Sequence, residues 1–419
     1  MSRMRNIRFA TPDIGKMETE NIRKTVDTRW ITAGPTVHRF EHRIAEMSGC
    51  DKAVCFDSCT GAMEMTLRAL GIGPGDEVIT TPYTYSATAE VIRNVGATIV
   101  FVDLAPDSFE MDYWKVADAI TPKTKAVMPV DIGGKLCNYD ELYDAIRSKL
   151  SVYQPNNEIQ RVIGRVAVVA DAAHSFGAED GGLVTGQFAD FTCYSFHVLK
   201  NVTTGGEGGA VVWNSRRHRL DSEAFEEHLR LLGDHGQTSR DKSNGWEYDI
   251  ALFGYNSIMT DVDAAMGLAQ LDRFEEIKQK RIDVTATYDV LFDEMNEHGL
   301  LVRPMIRHFG MNYTSAMHLY PVQLPESTSI RFVQFRDEAQ EVYRNAVWRF
   351  MKEAGVPCNV HYKPLPMMTA YKQDGFDIKD YPNAYKTYAS LLTIPYHTEL
   401  TEEEQRYIVS KLKEAVMEL

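Results

Sequence analysis

Seven short apolar runs, each set between stretches of helical periodicity, constrain this chain more than any other feature. They are AVCFD at 53–57, EVIT at 77–80, TIVFVD at 98–103, KAVMPV at 125–130, VAVVA at 166–170, FTCY at 191–194 and AVVW at 210–213. Runs this short and uniformly apolar read as strands, and the patterns at 60–70, 86–95, 138–148 and 215–232 read as helices. A further helical stripe at 37–47 carries Val37, Phe40, Ile44 and Met47. Strands buried on both faces and joined through helices form a mostly parallel sheet. The fold class expected is α/β, a large domain with a mostly parallel seven-stranded sheet between helices. After residue 250 the pattern changes. A long helical stretch from 261 to 297 precedes a strand near 317–323, a helix near 330–354, a strand near 358–362 and a helix near 402–417. This reads as a smaller C-terminal α+β domain. The division expected is 1–260 for the large domain and 261–419 for the linking helix and small domain.

Composition excludes several classes. The 419 residues are ample for a large core. Lys and Arg total 45 against 59 Asp and Glu, a net charge of −14. Binding nucleic acid through the overall field needs the opposite sign. The short basic cluster Arg216, Arg217, His218 and Arg219 reads as a solvated helix start. No stretch approaches the roughly 20 apolar residues of a membrane span. The opening MSRMRNIRFATPDIG has charge with no apolar stretch behind it, so no signal peptide is expected, and the cytoplasm is the expected location. The six cysteines form no CxxC pair, and His38 and His42 read as a surface pair, so no metal site is expected.

Ligands of such sheets sit at the carboxyl ends of the strands. Asp171 follows the run ending at Ala170, which makes it a turn cap or a carboxylate fixed in a pocket. Lys200 lies between a strand ending near Tyr194 and the Gly-rich turn GGEGG at 205–209. Lysines on loops are usually solvated. This one has apolar neighbours, Phe196, Val198, Leu199 and Val202, and glycines that let backbone approach a ligand. Such a lysine can form a Schiff base with a carbonyl cofactor. A lysine for the aldehyde and an aspartate for the pyridine nitrogen are the pair that pyridoxal phosphate needs. At Asp57-Ser58-Cys59-Thr60-Gly61-Ala62 a strand gives way to a helix, whose free N–H groups favour a phosphate. Simple N-capping by Ser58 or Thr60 is the alternative. Tyr85 is a candidate to stack on the pyridine ring. By contrast, GIGPGDE at 71–77 follows a helix and precedes a strand, so it reads as a cap and turn rather than a dinucleotide loop.

In this order, at successive strand ends, these features resemble the DegT/StrS-type sugar aminotransferases, within the aspartate aminotransferase (fold-type I) superfamily. The resemblance runs through WITAGP at 30–35, FDSCTGAME at 56–64, GDEVITTPYTYSATA at 75–89, FVDLAPDSF at 101–109 and VVADAAHSFGA at 168–178. It continues through SFHVLKN at 195–201, GYNSIMTDVDAAMGLAQL at 254–271 and VHYKPL at 360–365. The resemblance implies pyridoxal 5'-phosphate as cofactor, glutamate as usual donor and a nucleotide-linked keto-sugar as acceptor. It implies Lys200 as the catalytic, cofactor-holding lysine and Asp171 as partner of the pyridinium. His174 falls near the ring hydroxyl, and Tyr85 is the stacking aromatic. Thr60, Gly61, Ala62 and Ser195 match the phosphate contacts. Asn256 matches an asparagine that reaches the neighbouring subunit's phosphate, which implies a homodimer with shared sites. His361, Tyr362, Trp30, His235 and Lys135 are candidates for the sugar pocket, with plain packing as the alternative.

The chain also departs from the family pattern. Asp131 stands where His is frequent, Ile258 where Arg or Lys is frequent, and the turn at 205–209 is one glycine longer. Three other readings compete: an aminotransferase for a cyclitol or other ketone, a pyridoxal-phosphate sugar dehydratase, and a non-catalytic regulatory protein of the same fold. Lys200 argues against the dehydratase, whose relatives carry His there. The complete set of Lys200, Asp171 and phosphate cup argues against the regulator.

Overall fold

The computed structural model describes residues 7–215, 217–238, 245–297, 300, 302–326 and 336–419. All seven expected strands form: β1 (Lys52–Phe56), β2 (Glu77–Thr80), β3 (Thr98–Phe101), β4 (Thr124–Met128), β5 (Ala167–Asp171), β6 (Phe191–Ser195) and β7 (Gly209–Trp213). They make one seven-stranded sheet in the order β1-β7-β6-β5-β4-β2-β3. Only β7 runs against its neighbours, antiparallel to β1 and to β6. The uniform apolarity of the strands has a direct cause. In β5, Ala167 and Val169 enter one core layer while Val168 and Ala170 enter the other, so both faces of the pleat are buried. Each fully buried valine contributes about 1.5–3 kcal/mol relative to exposure.

One buried ion pair ties the sheet's base together. Asp190 has no exposure and accepts from both terminal nitrogens of Arg165, at 2.6 and 2.7 Å, and from the Val168 N–H at 2.8 Å. Asp190→Ala leaves a buried guanidinium and a strand amide without their acceptor. The expected loss is about 3–5 kcal/mol in urea unfolding. A loss under about 1 kcal/mol would mean that the pair behaves like a solvated surface pair.

The helices that matter for the site are α1 (Lys16–Thr28), α2 (Pro35–Met47), α3 (Cys59–Ala69), α4 (Ser86–Asn94), α5 (Ser222–Gly233), α6 (Asp261–Asp272), α7 (Phe274–Glu297), α8 (Arg336–Glu353) and α9 (Glu402–Glu418). Gly71 ends the α3 segment with φ 66° and its N–H on Arg68 O, so GIGPGDE is the cap and turn expected. On α2, His38 bonds the Glu41 carboxylate at 3.1 Å. No helix among the described residues is long and apolar enough to cross a membrane.

Four expectations need correction. The stretch 261–297 is two helices that part at Arg273. Its guanidinium bonds Asp13 at 2.6 Å and Glu18 at 2.7 Å, and a one-residue break leaves the apolar period nearly unchanged. The helix expected over 215–232 starts at Ser222, capped by the Asp221 carboxylate. The residues before it are not a solvated start. His218 is buried and stacks on Phe191 at 5.1 Å, and the Arg217 guanidinium lies over Tyr143. Arg216, and residues 330–335 of the helix expected near 330–354, lie outside the described residues.

The strand expected at 358–362 is a single bridge, Asn359 to Thr393, because residues 360–363 turn away to line a cavity. The small sheet is instead β8 (Arg303–Pro304), β9 (Tyr320–Gln323) and β10 (Leu391–Ile394), with β9 in the middle and pairing antiparallel to both. It packs with α7, α8 and α9 around Tyr288, Phe292, Tyr320, Leu392 and Ile408, and Ile7 inserts into the same core.

Candidate active site

A cavity of about 920 Å³ opens at the carboxyl ends of the parallel strands. Its walls come from the start of α3, the β2–α4 turn, the ends of β4, β5 and β6, and residues 359–363 beside the small sheet.

Asp171 is the last residue of β5 and is 6% exposed. One oxygen accepts from the Thr88 hydroxyl at 2.7 Å and the other from the Ala173 N–H at 3.1 Å. Burial pushes its carboxyl up from the usual aspartate range, and the Thr88 bond opposes this. Lys200 also lines the cavity. Its loop folds back on the Gly-rich turn through Val198 N–H to Gly206 O, 3.1 Å, and Phe196 N–H to Gly208 O, 2.8 Å. Burial pulls the Lys200 ammonium below the usual lysine range, and Asp171 opposes the shift. A lysine so placed offers a neutral amine more readily than a solvated one.

His174 sits between two partners. Its Nδ1 accepts from the Gly133 N–H at 3.1 Å, and its Nε2 faces the Tyr362 hydroxyl at 3.2 Å. Burial, then the nearby Lys200 charge, holds its pKa well below the ordinary histidine value, so the ring is neutral. With Nδ1 accepting, Nε2 carries the proton and donates to Tyr362.

The candidate anion site is the N-terminus of α3. Ser58 caps it, with its hydroxyl accepting from the Gly61 N–H at 3.0 Å. The Cys59 and Thr60 amides precede the first helical acceptor and have no partner within the helix. A Cβ on Gly209 would stand 2.3 Å from Cys59 N, so only glycine lets β7 pass this close to the helix start.

Other expected site residues fall in two groups. Thr60, Tyr85, Ser195, His361 and Tyr362 line the same cavity as Lys200. Tyr85 stands at the N-cap position of α4, is 64% exposed, and has its ring 6.2 Å from that of Tyr362. Gly61, Ala62, Asn256, Trp30, His235 and Lys135 are not in its lining. Trp30 is exposed and donates to Ala33 O, the His235 N–H donates to Tyr255 O, and Lys135 pairs with Glu110. Asn256 is exposed and bridges Asp234.

The departures also have their places. Asp131 lines the cavity wall but is turned inward. It accepts from Ser175 at 2.7 Å, from Cys137 N–H at 2.9 Å and from the Tyr139 hydroxyl, and burial raises its carboxyl to about 6. Ile258 bridges Phe56, the end of β1. Three residues that shape the site gave no signal in the sequence: Thr88, which holds Asp171, and Phe9 and His318, which line the cavity. Each is an ordinary residue of its local element, and only the fold brings it in.

Residues 12–413 match the DegT/DnrJ/EryC1/StrS aminotransferase family. The chain belongs to that family. Among solved structures it is similar to the Streptococcus pneumoniae protein Spr1654 in its PLP form, a candidate sugar aminotransferase, with TM-score 0.91 and 38% identity over 99% of each chain. The same protein is solved in a PMP form with the same TM-score. The spore coat polysaccharide biosynthesis protein SpsC of Bacillus subtilis is 32% identical over 97% of this chain and 96% of its own length. The GDP-perosamine synthase of Caulobacter vibrioides is 29% identical over all of both chains. The α/β fold with its large, mostly parallel seven-stranded sheet is thus the aspartate aminotransferase-like fold. The protein is an aminotransferase that uses pyridoxal phosphate.

The site fits that cofactor on its own chemistry. It combines a lysine that burial drives toward neutrality, a buried carboxylate held by Thr88, and a helix N-terminus with two free amides approached by a glycine.

Proposed function

We propose that this aminotransferase moves an amino group from an amino acid, glutamate by the family resemblance, to a nucleotide-linked keto-sugar. The observation that carries the reading is the pairing of Lys200 and Asp171 in one cavity of about 920 Å³. That volume has to hold the cofactor and one substrate, and it leaves room for an acceptor larger than an amino acid. The sugar-biosynthetic names of SpsC and GDP-perosamine synthase support the same class of acceptor.

When bound, pyridoxal phosphate supplies an aldehyde to hold nitrogen and a ring to accept the electrons of the breaking C–H bond. The residues of this chain do the rest. With the cofactor bound, the Lys200 Nζ would be the base that takes the proton from the donor carbon and the acid that gives it to the former aldehyde carbon. Asp171 keeps a proton on the ring nitrogen, and its burial strengthens that contact. The α3 N-terminus with Thr60 and Ser195 holds the phosphate. Tyr85 would cover one ring face, and the His174–Tyr362 pair fixes the wall beside it. Exposed Phe253, Trp246 and Asn256 support a homodimer in which the 246–256 segment meets a second copy.

The visible absorbance of the loaded protein tests this reading. Glutamate should remove the band, and a GDP- or UDP-linked keto-sugar should restore it while the free keto-sugar does not. Restoration by free ketones alone, with no binding of nucleoside diphosphates, would replace the nucleotide-sugar reading with the cyclitol-type one.

A further inference from the structure

Three imidazoles lie close enough to feel the Lys200 charge: His174, His318 and His361. Burial first, then that charge and their neighbours, holds all three below the ordinary histidine value, His361 at about 4. A neutral imidazole has one N–H and one lone pair, and each should be accounted for. In His174 the Gly133 N–H takes the lone pair and Tyr362 receives the N–H. In His361 both nitrogens are engaged, Nδ1 with the Thr393 hydroxyl at 3.1 Å and Nε2 with Asn359 Nδ2 at 3.4 Å.

His318 differs. It is 8% exposed, and its ring packs against that of His174 with centroids 4.3 Å apart. Its Nδ1 is 3.0 Å from Asn201 Oδ1. The Asn201 amide is oriented by its Nδ2, which donates to Ala316 O, so Oδ1 is the acceptor and His318 Nδ1 carries the proton. The lone pair is therefore on Nε2. That nitrogen has no partner among the described residues and is not fully enclosed, which turns it toward the cavity that His318 lines. The Asn201 bond and the His174 ring hold the imidazole in that direction.

A fixed lone pair needs a donor. The carboxylates of an amino acid have no hydrogen to offer, and its nitrogen would be held by the cofactor's aldehyde. A sugar hydroxyl fits. Resting on the keto-sugar reading above, we propose that His318 is a specificity-determining residue whose Nε2 accepts a hydrogen bond from the acceptor hydroxyl next to the reacting carbonyl. Its place beside His174 and Lys200, at the reacting end of the cavity, selects that hydroxyl over those nearer the nucleotide.

The test uses the loaded enzyme in its pyridoxamine form and two acceptors: a nucleotide-linked keto-sugar that restores the visible band, and its analogue with hydrogen in place of the hydroxyl beside the carbonyl. The readout is the ratio of kcat/KM for the two, not the overall rate. The wild-type protein should favour the hydroxylated sugar by about tenfold or more, the scale of one lost buried hydrogen bond. In His318→Phe, which keeps a ring against His174, the ratio should fall to near one. In His318→Gln, which offers an N–H to Asn201 and an oxygen to the cavity, much of it should return. A wild-type protein that treats both sugars alike overturns the assignment, even where the Phe variant does not fold. A Phe variant that keeps the full ratio while losing rate overturns it too, since that is a packing role. Failure of every nucleotide-linked keto-sugar to restore the wild-type band overturns the substrate reading and the hydroxyl contact with it.

Discussion

Lys200→Ala should lower transamination by at least about 10³-fold, since general acid–base transfer by a positioned group alone is worth about 10²–10⁴. The variant also loses its reactive amine, so its visible band should be altered and glutamate should not discharge it in a single turnover. Folding should survive. Burying the Lys200 ammonium is unfavourable, as the downward pull on its pKa shows, so removing it relieves a cost and Tm should hold or rise. A small primary amine added in solution should restore part of the rate, because the cavity is open enough to admit one. A variant that still turns over within about tenfold of the wild type would sink the assignment of Lys200 as proton carrier.

Asp171→Asn should cost about 10²–10³-fold in kcat while the cofactor stays bound. Asn keeps the shape of the aspartate, and the Thr88 hydroxyl can still donate to its oxygen. What it lacks is the charge and the second acceptor, so the Ala173 N–H then faces an NH2. A neutral amide would not hold a proton on the ring nitrogen, so the ring would accept the electrons of the breaking C–H bond less readily. The donor half-reaction should slow, and the phosphate contacts at α3 should keep the cofactor in place. Asp171→Ala should be worse for folding, because it strands the Ala173 N–H and leaves the Thr88 hydroxyl only its Thr84 and Tyr85 partners. A rate for Asp171→Asn within about threefold of wild type would reduce Asp171 to the turn cap of its alternative reading.

Much of this was legible in the chain. The seven buried strands showed themselves because both faces of each pleat are covered, which leaves no polar alternation to blur the apolar runs. Asp171, Lys200 and the start of α3 were legible because each stands directly beyond such a run, and strand ends are where an α/β sheet offers its backbone and side chains to ligands. Single-residue events were not legible. The break at Arg273 depends on carboxylates at Asp13 and Glu18, far away in the chain. The segment at 358–362 has the composition of a strand, yet it leaves the sheet edge because the cavity claims His361 and Tyr362.

The sequence by itself therefore determined the sheet, and it placed Lys200, Asp171 and the start of α3 at the ends of strands, since those positions follow from local patterns of burial and from chemistry tied to residue type. Tertiary structure alone decided how each group is held and which way it points. Thr88 reaches Asp171 across 83 positions of the chain, and Asn201 orients His318 across 117. Hydrogen-bond direction and tautomer belong to pairs of residues that only folding brings together, so no local pattern in either partner can encode them.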